Sequence, residues 1–240
     1  MKIAVWSGPR NISTALMRAF GSRSDIFISD EPFYGYYLSN KNINHPMKTK
    51  IINTMETNFN IITNNLTGSI PSHKSIWYQK HMAHHISLKD DLLWIKNMKN
   101  ILLIRNPKEV ILSYIKKNPL DDISQLGLQQ QINMYNIIKQ SNDHCIIIDS
   151  NDLLINPKKI LTKLCDAIGI LFDDNMLKWK AGVHDYDGLW GKHWYNDVQL
   201  STGFNKINKI NKNNVIPESY LDIYKQALNI YFFLKQKRIK

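Results

Sequence analysis

The chain has 240 residues, with 31 Lys and Arg against 20 Asp and Glu, a formal charge of +11, and two cysteines. That length suits one substantial domain over residues 1–240, while Cys145 and Cys165 fall in apolar runs and supply neither a disulfide framework nor a cysteine-based zinc site. No apolar run is long enough for a bilayer span and the first residues lack a signal-peptide pattern, so the expectation is a soluble, cytoplasmic protein. The positive excess is spread through stretches such as 205–214 (NKINKINKNN), without a basic helix, an aromatic RNA-binding motif or a finger pattern. A small polyanionic ligand fits that distribution better than nucleic acid.

In chain order, Ile3 to Trp6 is an uncharged run that reads as a buried parallel strand, broken by Ser7-Gly8-Pro9. Ser13 or Thr14 then opens a helix with Ala15, Leu16, Ala19 and Phe20 on its apolar face. Ile26 to Ile28 is a second strand, closed by Ser29-Asp30-Glu31-Pro32. Residues 47–66 have helical spacing, with Ile51, Ile52, Met55, Phe59, Ile62 and Leu66 on one face. A strand over 75–78 leads into the His-rich Lys80-His81-Met82-Ala83-His84-His85.

Ile101 to Ile104 is a fourth strand ending at Arg105-Asn106-Pro107, and a helix from Pro107 to about Lys117 follows, with Pro in its first turn and Glu109 near its positive end. Residues 124–140 read as a further helix. Ile146 to Ile148 is the last strand, followed by a helix over 157–168 that stops at Gly169. Residues 178–204 form a loop dense in Trp, Tyr, Gly and His, and a helix from Pro217 to about Lys235 closes the chain.

Strand and helix alternate about five times, which predicts an α/β three-layer fold with a central parallel sheet of about five strands flanked by helices. Ligands of such sheets bind at the carboxyl ends of the strands, so Ser7, Glu31, His81 and Arg105 are expected to face one crevice. The first strand-turn-helix is an anion site in outline: unpaired amides of a first helical turn, the positive end of the helix dipole, and Arg10 beside them. It is not a kinase P-loop, because Gly8 is not followed five residues later by Gly-Lys, which argues against ATP and Mg²⁺ chemistry.

Pro9-Arg10-Asn11-Ile12-Ser13-Thr14 resembles the 5′-phosphosulfate loop of sulfotransferases that use PAPS, 3′-phosphoadenosine 5′-phosphosulfate. Arg105 to Tyr114 (RNPKEVILSY), with Arg at a strand end and Ser113 eight residues on, is very close to that family's 3′-phosphate segment. Residues 149–169 look like its late strand and helix. The resemblance covers residues 2–172 and implies a P-loop-like fold. It also implies sulfuryl transfer from PAPS to a small-molecule hydroxyl or amine. Arg10, Asn11, Ser13 and Thr14 would hold the 5′-phosphosulfate, and Arg105 and Ser113 the 3′-phosphate. Two departures stand out: Ile12 occupies a position usually Gly, and the Arg-Lys-Gly signature of the cytosolic members is absent, with residues 188–194 in its place.

Sulfuryl transfer needs a base for the acceptor proton, and two residues fit, with Arg10 as the third catalytic candidate. Glu31 follows the second strand, where bacterial and carbohydrate-type members place a Glu; Lys80-His81 is similar to the family's Lys-x-His segment with the Lys displaced. His84 and His85 read as surface or supporting residues, and a zinc site at these histidines lacks a ligand pattern. Tyr34, Tyr36, Tyr37, Trp190, Trp194 and Tyr195 are candidates for an acceptor pocket suited to a ring or a quaternary ammonium, or for loop packing. The alternatives to an enzyme of this class are a non-catalytic binder of adenosine 3′,5′-bisphosphate and, less well supported, a small-metabolite kinase. The sequence names neither an acceptor nor an oligomeric state.

Overall fold

Five short segments form the centre of the molecule, four of them buried on both faces and the edge strand β2 fully buried on one: β1 (Lys2–Ser7), β2 (Ile26–Asp30), β3 (Ile76–Met82), β4 (Lys99–Ile104) and β5 (Ile146–Asp149). A computed structural model describes residues 1–41, 43, 45–141, 145–204 and 215–240; the lysine- and asparagine-rich stretch 205–214 is outside the described residues. The strands pair in parallel in the order β2-β3-β1-β4-β5. Parallel pairing needs a crossover after each strand, and helices supply it. Helices α1 (Ser13–Gly21), α2 (Tyr34–Asn40), α3 (Lys48–Thr54) and α4 (Phe59–Thr67) precede β3, and α5 (Pro107–Tyr114) and α6 (Leu128–Gln140) separate β4 from β5. Then come α7 (Ser150–Ile155), α8 (Pro157–Ile168), the short α9 (Gly191–Trp194) and α10 (Asn196–Gln199), and α11 (Leu221–Lys235).

Alternation along the strands sorts the core into two layers. Ile3, Val5, Tyr78, Ile101 and Leu103 pack with Leu16 and Phe20 of α1 and Leu161 and Leu164 of α8. Ala4, Trp6, Trp77, Leu102 and Ile104 pack with Leu66 of α4, Met134 of α6 and Tyr231 of α11. In register, Ser7 lies beside Met82 and Leu103, and Asp30 beside Lys80, so the carboxyl ends share one edge. No helix among the described residues is long and apolar enough to cross a membrane.

Three sequence expectations change. Residues 47–66 are two helices, not one. Ile51 belongs to the first layer and Ile62 and Leu66 to the second, so the chain must leave one face of the sheet for the other. It breaks at Met55, which is extended, and restarts at Asn58, whose side chain accepts from the Ile61 amide at 3.2 Å. The helix expected over 124–140 is interrupted at Gly127, which has φ 72°. A Cβ there would lie 3.1 Å from both Ala83 Cβ and the His84 amide nitrogen, and one on Gly8 would lie 2.1 Å from the Leu126 carbonyl oxygen. The two glycines let the start of α6 approach the end of β1, a contact that a continuous helix with side chains would block. The third strand runs on to Met82 rather than stopping near Tyr78, which decides the orientation of the residues behind it.

Candidate active site

The β1–α1 loop is fixed from behind by buried polar groups. Asn11 Nδ2 donates to the Leu103 carbonyl at 3.2 Å, Ser150 Oγ donates to the carbonyls of Asn11 and Ile104 at 2.9 Å, and Gln131 Nε2 donates to those of Trp6 and Leu103. Helix α1 begins at Ser13 without a side-chain cap, so its first amides face the crevice, with Ser13 and Thr14 lining it. Asn11 is 3% exposed, lines the same crevice and leaves its Oδ1 unpartnered. Arg10 and Ile12 both have left-handed backbone, φ 60° and 58°. Such a conformation costs a non-glycine residue about 1–3 kcal/mol and is concentrated at functional sites.

Arg10, Ser113 and Arg105 come together from distant parts of the sequence. Arg10 Nε donates to Ser113 Oγ at 2.8 Å, and Arg105 NH1 donates to the Arg10 carbonyl at 2.7 Å. Glu109, one helical turn after Arg105, pairs with it at 2.9 Å and accepts from Asn151 at 2.8 Å, so the guanidinium is oriented from behind. Arg10 NH2 also lies 3.9 Å from the exposed Asp197 on α10.

Two strands away, the end of β2 carries the second cluster. Lys80 on β3 is buried and donates to Asp30 at 2.9 Å, to Tyr195 Oη at 2.8 Å and to Glu31. Its three protons are thereby used. Burial draws the Lys80 ammonium down, but Asp30 and Glu31 outweigh this and hold it above its ordinary value. Asp30 is further satisfied by the Gly188 amide at 3.0 Å and by Tyr195 Oη at 2.8 Å. Glu31 has left-handed backbone at φ 48° and lines the cavity. Burial raises its carboxyl above the ordinary range and outweighs the pull of Lys80. Its Oε1 is taken by Lys80, while Oε2 lies 4.0 Å from His85 Nε2.

The cavity over these strand ends measures about 750 Å³ and is lined by Arg10, Asn11, Ser13, Thr14, Glu31, Lys80 and Arg105, among others. Six non-glycine residues among those described have positive φ, and the three that line this cavity are Arg10, Ile12 and Glu31. Half of this left-handed non-glycine backbone thus falls on the loops that carry the candidate chemistry, the rest at Met47, Ser72 and His73.

His81 is not among the residues the structure brings together. Because β3 extends to Met82, alternation turns Lys80 and Met82 to the cavity and His81 to the opposite layer. There it stacks on Trp6 at 4.2 Å and 18°, faces Phe33 at 5.7 Å, and is 1% exposed. Burial lowers its pKa to about 3, so it is a neutral core ring. Ser7 shares the face of its neighbour Met82 but is fully buried beneath it, with Oγ 3.7 Å from Met82 Sδ, and does not line the cavity. His84 and His85, read from the sequence as peripheral, line the cavity instead; His85 is 4% exposed. Burial lowers His84 to about 4 and His85 well below its usual range.

Of the aromatic candidates, Tyr34, Tyr37, Trp194 and Tyr195 line the cavity, Trp190 packs behind them with its indole N–H on Tyr195 Oη at 3.1 Å, and Tyr36 turns away to Asp90 at 2.8 Å. Residues 188–194 present Trp194 to the cavity but not Lys192. The loop carrying them is clasped to α1 by a buried bidentate pair, Arg18 NH1 and NH2 to Asp187 at 2.5 and 2.6 Å. Sequence reasoning assigned no role to Asp30 or Ser150, and offered Tyr195 only as a pocket or packing aromatic, not as a partner of Lys80 and Asp30. Their only signal was position at a strand end or in the aromatic loop. Among the described residues no group of His, Cys, Asp and Glu is placed to hold a metal ion.

A parallel α/β sheet with an open helix start, two arginines and a cavity across its strand ends is an arrangement suited to small anionic ligands. The sulfotransferase-domain family model matches residues 1–237, and the chain belongs to that family. It is 32% identical over 97% of its length to branched-chain-amino-acid aminotransferase-like protein 2 of Arabidopsis thaliana, and spans 41% of that longer protein. Its fold is similar to the sulfotransferase domain of the Synechococcus PCC 7002 olefin synthase, with TM-score 0.56, 16% identity, and 95% and 94% of the two chains covered. The sulfotransferase from Alicyclobacillus acidocaldarius is similar with TM-score 0.55 and 9% identity, covering 99% of this chain and 96% of the other. At those identities the likeness concerns the fold.

Proposed function

We propose that this chain moves a sulfuryl group from PAPS to a hydroxyl or amine of a small acceptor, as a single-domain enzyme working in the cytoplasm. The observation that carries the reading is the Arg10–Ser113–Arg105 cluster beside the open first turn of α1, with a carboxylate, Glu31, at the other end of one cavity. The residues fit the donor: two anionic groups of one nucleotide meet two fixed guanidiniums and the unpaired amides at Ser13 and Thr14. PAPS, when bound, supplies an activated sulfuryl group on a phosphate leaving group.

Arg105 and Ser113 hold the 3′-phosphate in this reading, and Arg10 with the α1 amides holds the 5′-phosphosulfate. Glu31 accepts the proton of the acceptor hydroxyl as its oxygen lone pair forms the new S–O bond. Arg10 and the α1 amides stabilise the 5′-phosphate oxygen, which keeps the electron pair of the bond that breaks. Positioning and fixed charge do most of such work in related group transfers. A raised Glu31 pKa suits the task, since a base is most effective near the working pH.

Calorimetry with adenosine 3′,5′-bisphosphate tests the donor site. The expected result is binding that Arg105→Ala weakens at least about ten-fold, the loss of one charge-assisted pair. Absence of binding, or equal binding by the variant, would overturn the reading. A binder without catalysis would show the same affinity but no transfer to any acceptor.

A further inference from the structure

The two ends of the cavity differ in charge: with Glu31 ionised, the form in which it accepts a proton, the β2 end carries an excess of one negative charge. Asp30 and Glu31 share a single ammonium there, Lys80, whose three protons are all engaged by Asp30, Glu31 and Tyr195. Tyr195 Oη accepts from Lys80 and from Trp190, and gives its own proton to Asp30. Lys80 therefore has nothing left for a ligand anion. Arg18, which does not line the cavity, is closed off by Asp187, and among the described residues the cavity-lining cations besides Lys80 are Arg10, Arg105 and Lys117, which belong to the β1–α1 loop and to the segments that follow β4.

The wall beside Glu31 is a continuous run of uncharged rings. His45 meets Tyr34 at 5.2 Å, Tyr34 stacks on His85 at 4.6 Å, His85 on Tyr37 at 4.6 Å, and Tyr37 meets His84 at 5.3 Å. All five line the cavity. Burial keeps the three imidazoles neutral, so they do not cancel the carboxylate excess. His85, nine-tenths buried and more, leaves Nδ1 unpartnered, and among the described residues no donor reaches Glu31 Oε2. The 4.0 Å between His85 Nε2 and Glu31 Oε2 is too long for a hydrogen bond but suits one oxygen placed about 2.8 Å from each. A buried uncompensated carboxylate is costly, and a cation against π faces relieves it.

We propose that the acceptor is a small cationic alcohol, a protonated or quaternary ammonium carrying a hydroxyl, with its hydroxyl oxygen between Glu31 and His85 and its ammonium against the carboxylate and the Tyr37 ring. This rests on the sulfuryl-transfer reading above. It disfavours acceptors whose carboxylate or phosphate would have to enter the β2 end, where among the described residues no free cation meets them.

The test uses choline, its neutral isostere 3,3-dimethyl-1-butanol, and glycolate as the anionic hydroxyl compound, titrated calorimetrically into the protein loaded with adenosine 3′,5′-bisphosphate and assayed for transfer of labelled sulfate from PAPS. Choline is expected to bind at least ten-fold tighter than the isostere, with glycolate weakest, and to be sulfated in preference to both. Glu31→Gln should collapse the binding ratio towards one. Tyr37→Leu should lower it, and Tyr37→Phe restore it, which a purely structural role of the ring would not do. Equal or tighter binding of the neutral isostere, or no binding of choline, overturns the proposal while leaving the donor reading intact. If the bisphosphate itself does not bind, the donor reading falls, and the same titrations on the unliganded protein decide the cation preference.

Discussion

At the scale of single residues, Glu31 and His81 separate two kinds of buried polar group. Glu31 is held in left-handed backbone with one oxygen on Lys80 and the other towards the cavity, whereas His81 lies between Trp6 and Phe33. Glu31→Gln is expected to lower kcat by about 10²–10⁴, the usual worth of a general base. The folded protein raises the Glu31 pKa, so its ionisation weakens the fold as pH rises through that folded value. The same substitution should thus leave the urea midpoint at pH 7.5 unchanged or higher. His81→Phe, which keeps a ring in the stack, should retain transfer within a few-fold; a loss of 10² or more would restore His81 to the chemistry. The sequence placed both at a crevice because strand ends do face it, but it ended β3 near Tyr78. Carried to Met82, period two sets Lys80 and His81 on opposite faces, and only the packed sheet says which face is the cavity.

At the scale of elements, β3 and the turn after it concentrate three imidazoles that folding keeps neutral: His81 at about 3, His84 at about 4, and His85 well below its ordinary range, each chiefly through burial. Their folded values are lowered, so the unfolded chain binds protons first as pH falls below the ordinary histidine value of about 6.5. The stability they hold is complete above that pH and is lost as pH falls through the window down to the folded values. Each histidine so shifted costs about 2 kcal/mol at pH 5. Urea melts at pH 7.5, 6.5, 6 and 5 should show little change above 6.5 and a steep fall below it; a flat profile down to pH 5 would show that these rings ionise freely in the fold.

Which elements exist was largely legible in the sequence, down to the helix over 157–168 and its stop at Gly169, where φ is 89°. Breaks inside apparent helices were not. The periodicity of 47–66 is genuine in both halves, but nothing in it tells that Ile51 and Ile62 serve opposite sides of the sheet. Gly127 in a helical pattern signals a break only once the end of β1 is known to press against it.

At the scale of the whole molecule, the formal charge of +11 is not a nucleic-acid footprint on the proposed reading. What selects the partner is the separation of Arg10 and Arg105 from the acidic, aromatic β2 end of the cavity. At 100 times its dissociation constant, adenosine 3′,5′-bisphosphate should stabilise the fold by about 2.7 kcal/mol, a rise in Tm of about 5–11 °C for a chain of this size. Adenosine 5′-monophosphate at the same concentration should give less than half that rise, and Arg105→Ala should make the two ligands alike. Equal shifts in the unaltered protein would mean that the 3′-phosphate is not read. The Arg10–Ser113–Arg105 cluster could be anticipated because its parts sit in short contiguous motifs, Arg105 to Ser113 above all. The acidic cluster could not, because Asp30, Lys80, Gly188 and Tyr195 meet only through the sheet and the aromatic loop.

The strand order has a consequence for how such a protein changes over time. Glu31 follows β2 and Arg105 follows β4, three inter-strand steps apart in the order β2-β3-β1-β4, or about 14 Å. Backbone ladders, not side chains, fix that interval, so the sheet works as a ruler: substitutions can alter what is grasped at either mark but not the distance between the marks. On the sulfuryl-transfer reading, new acceptors can be explored by redrawing the rings around Glu31, while the length of the donor stays written in the pairing of the strands.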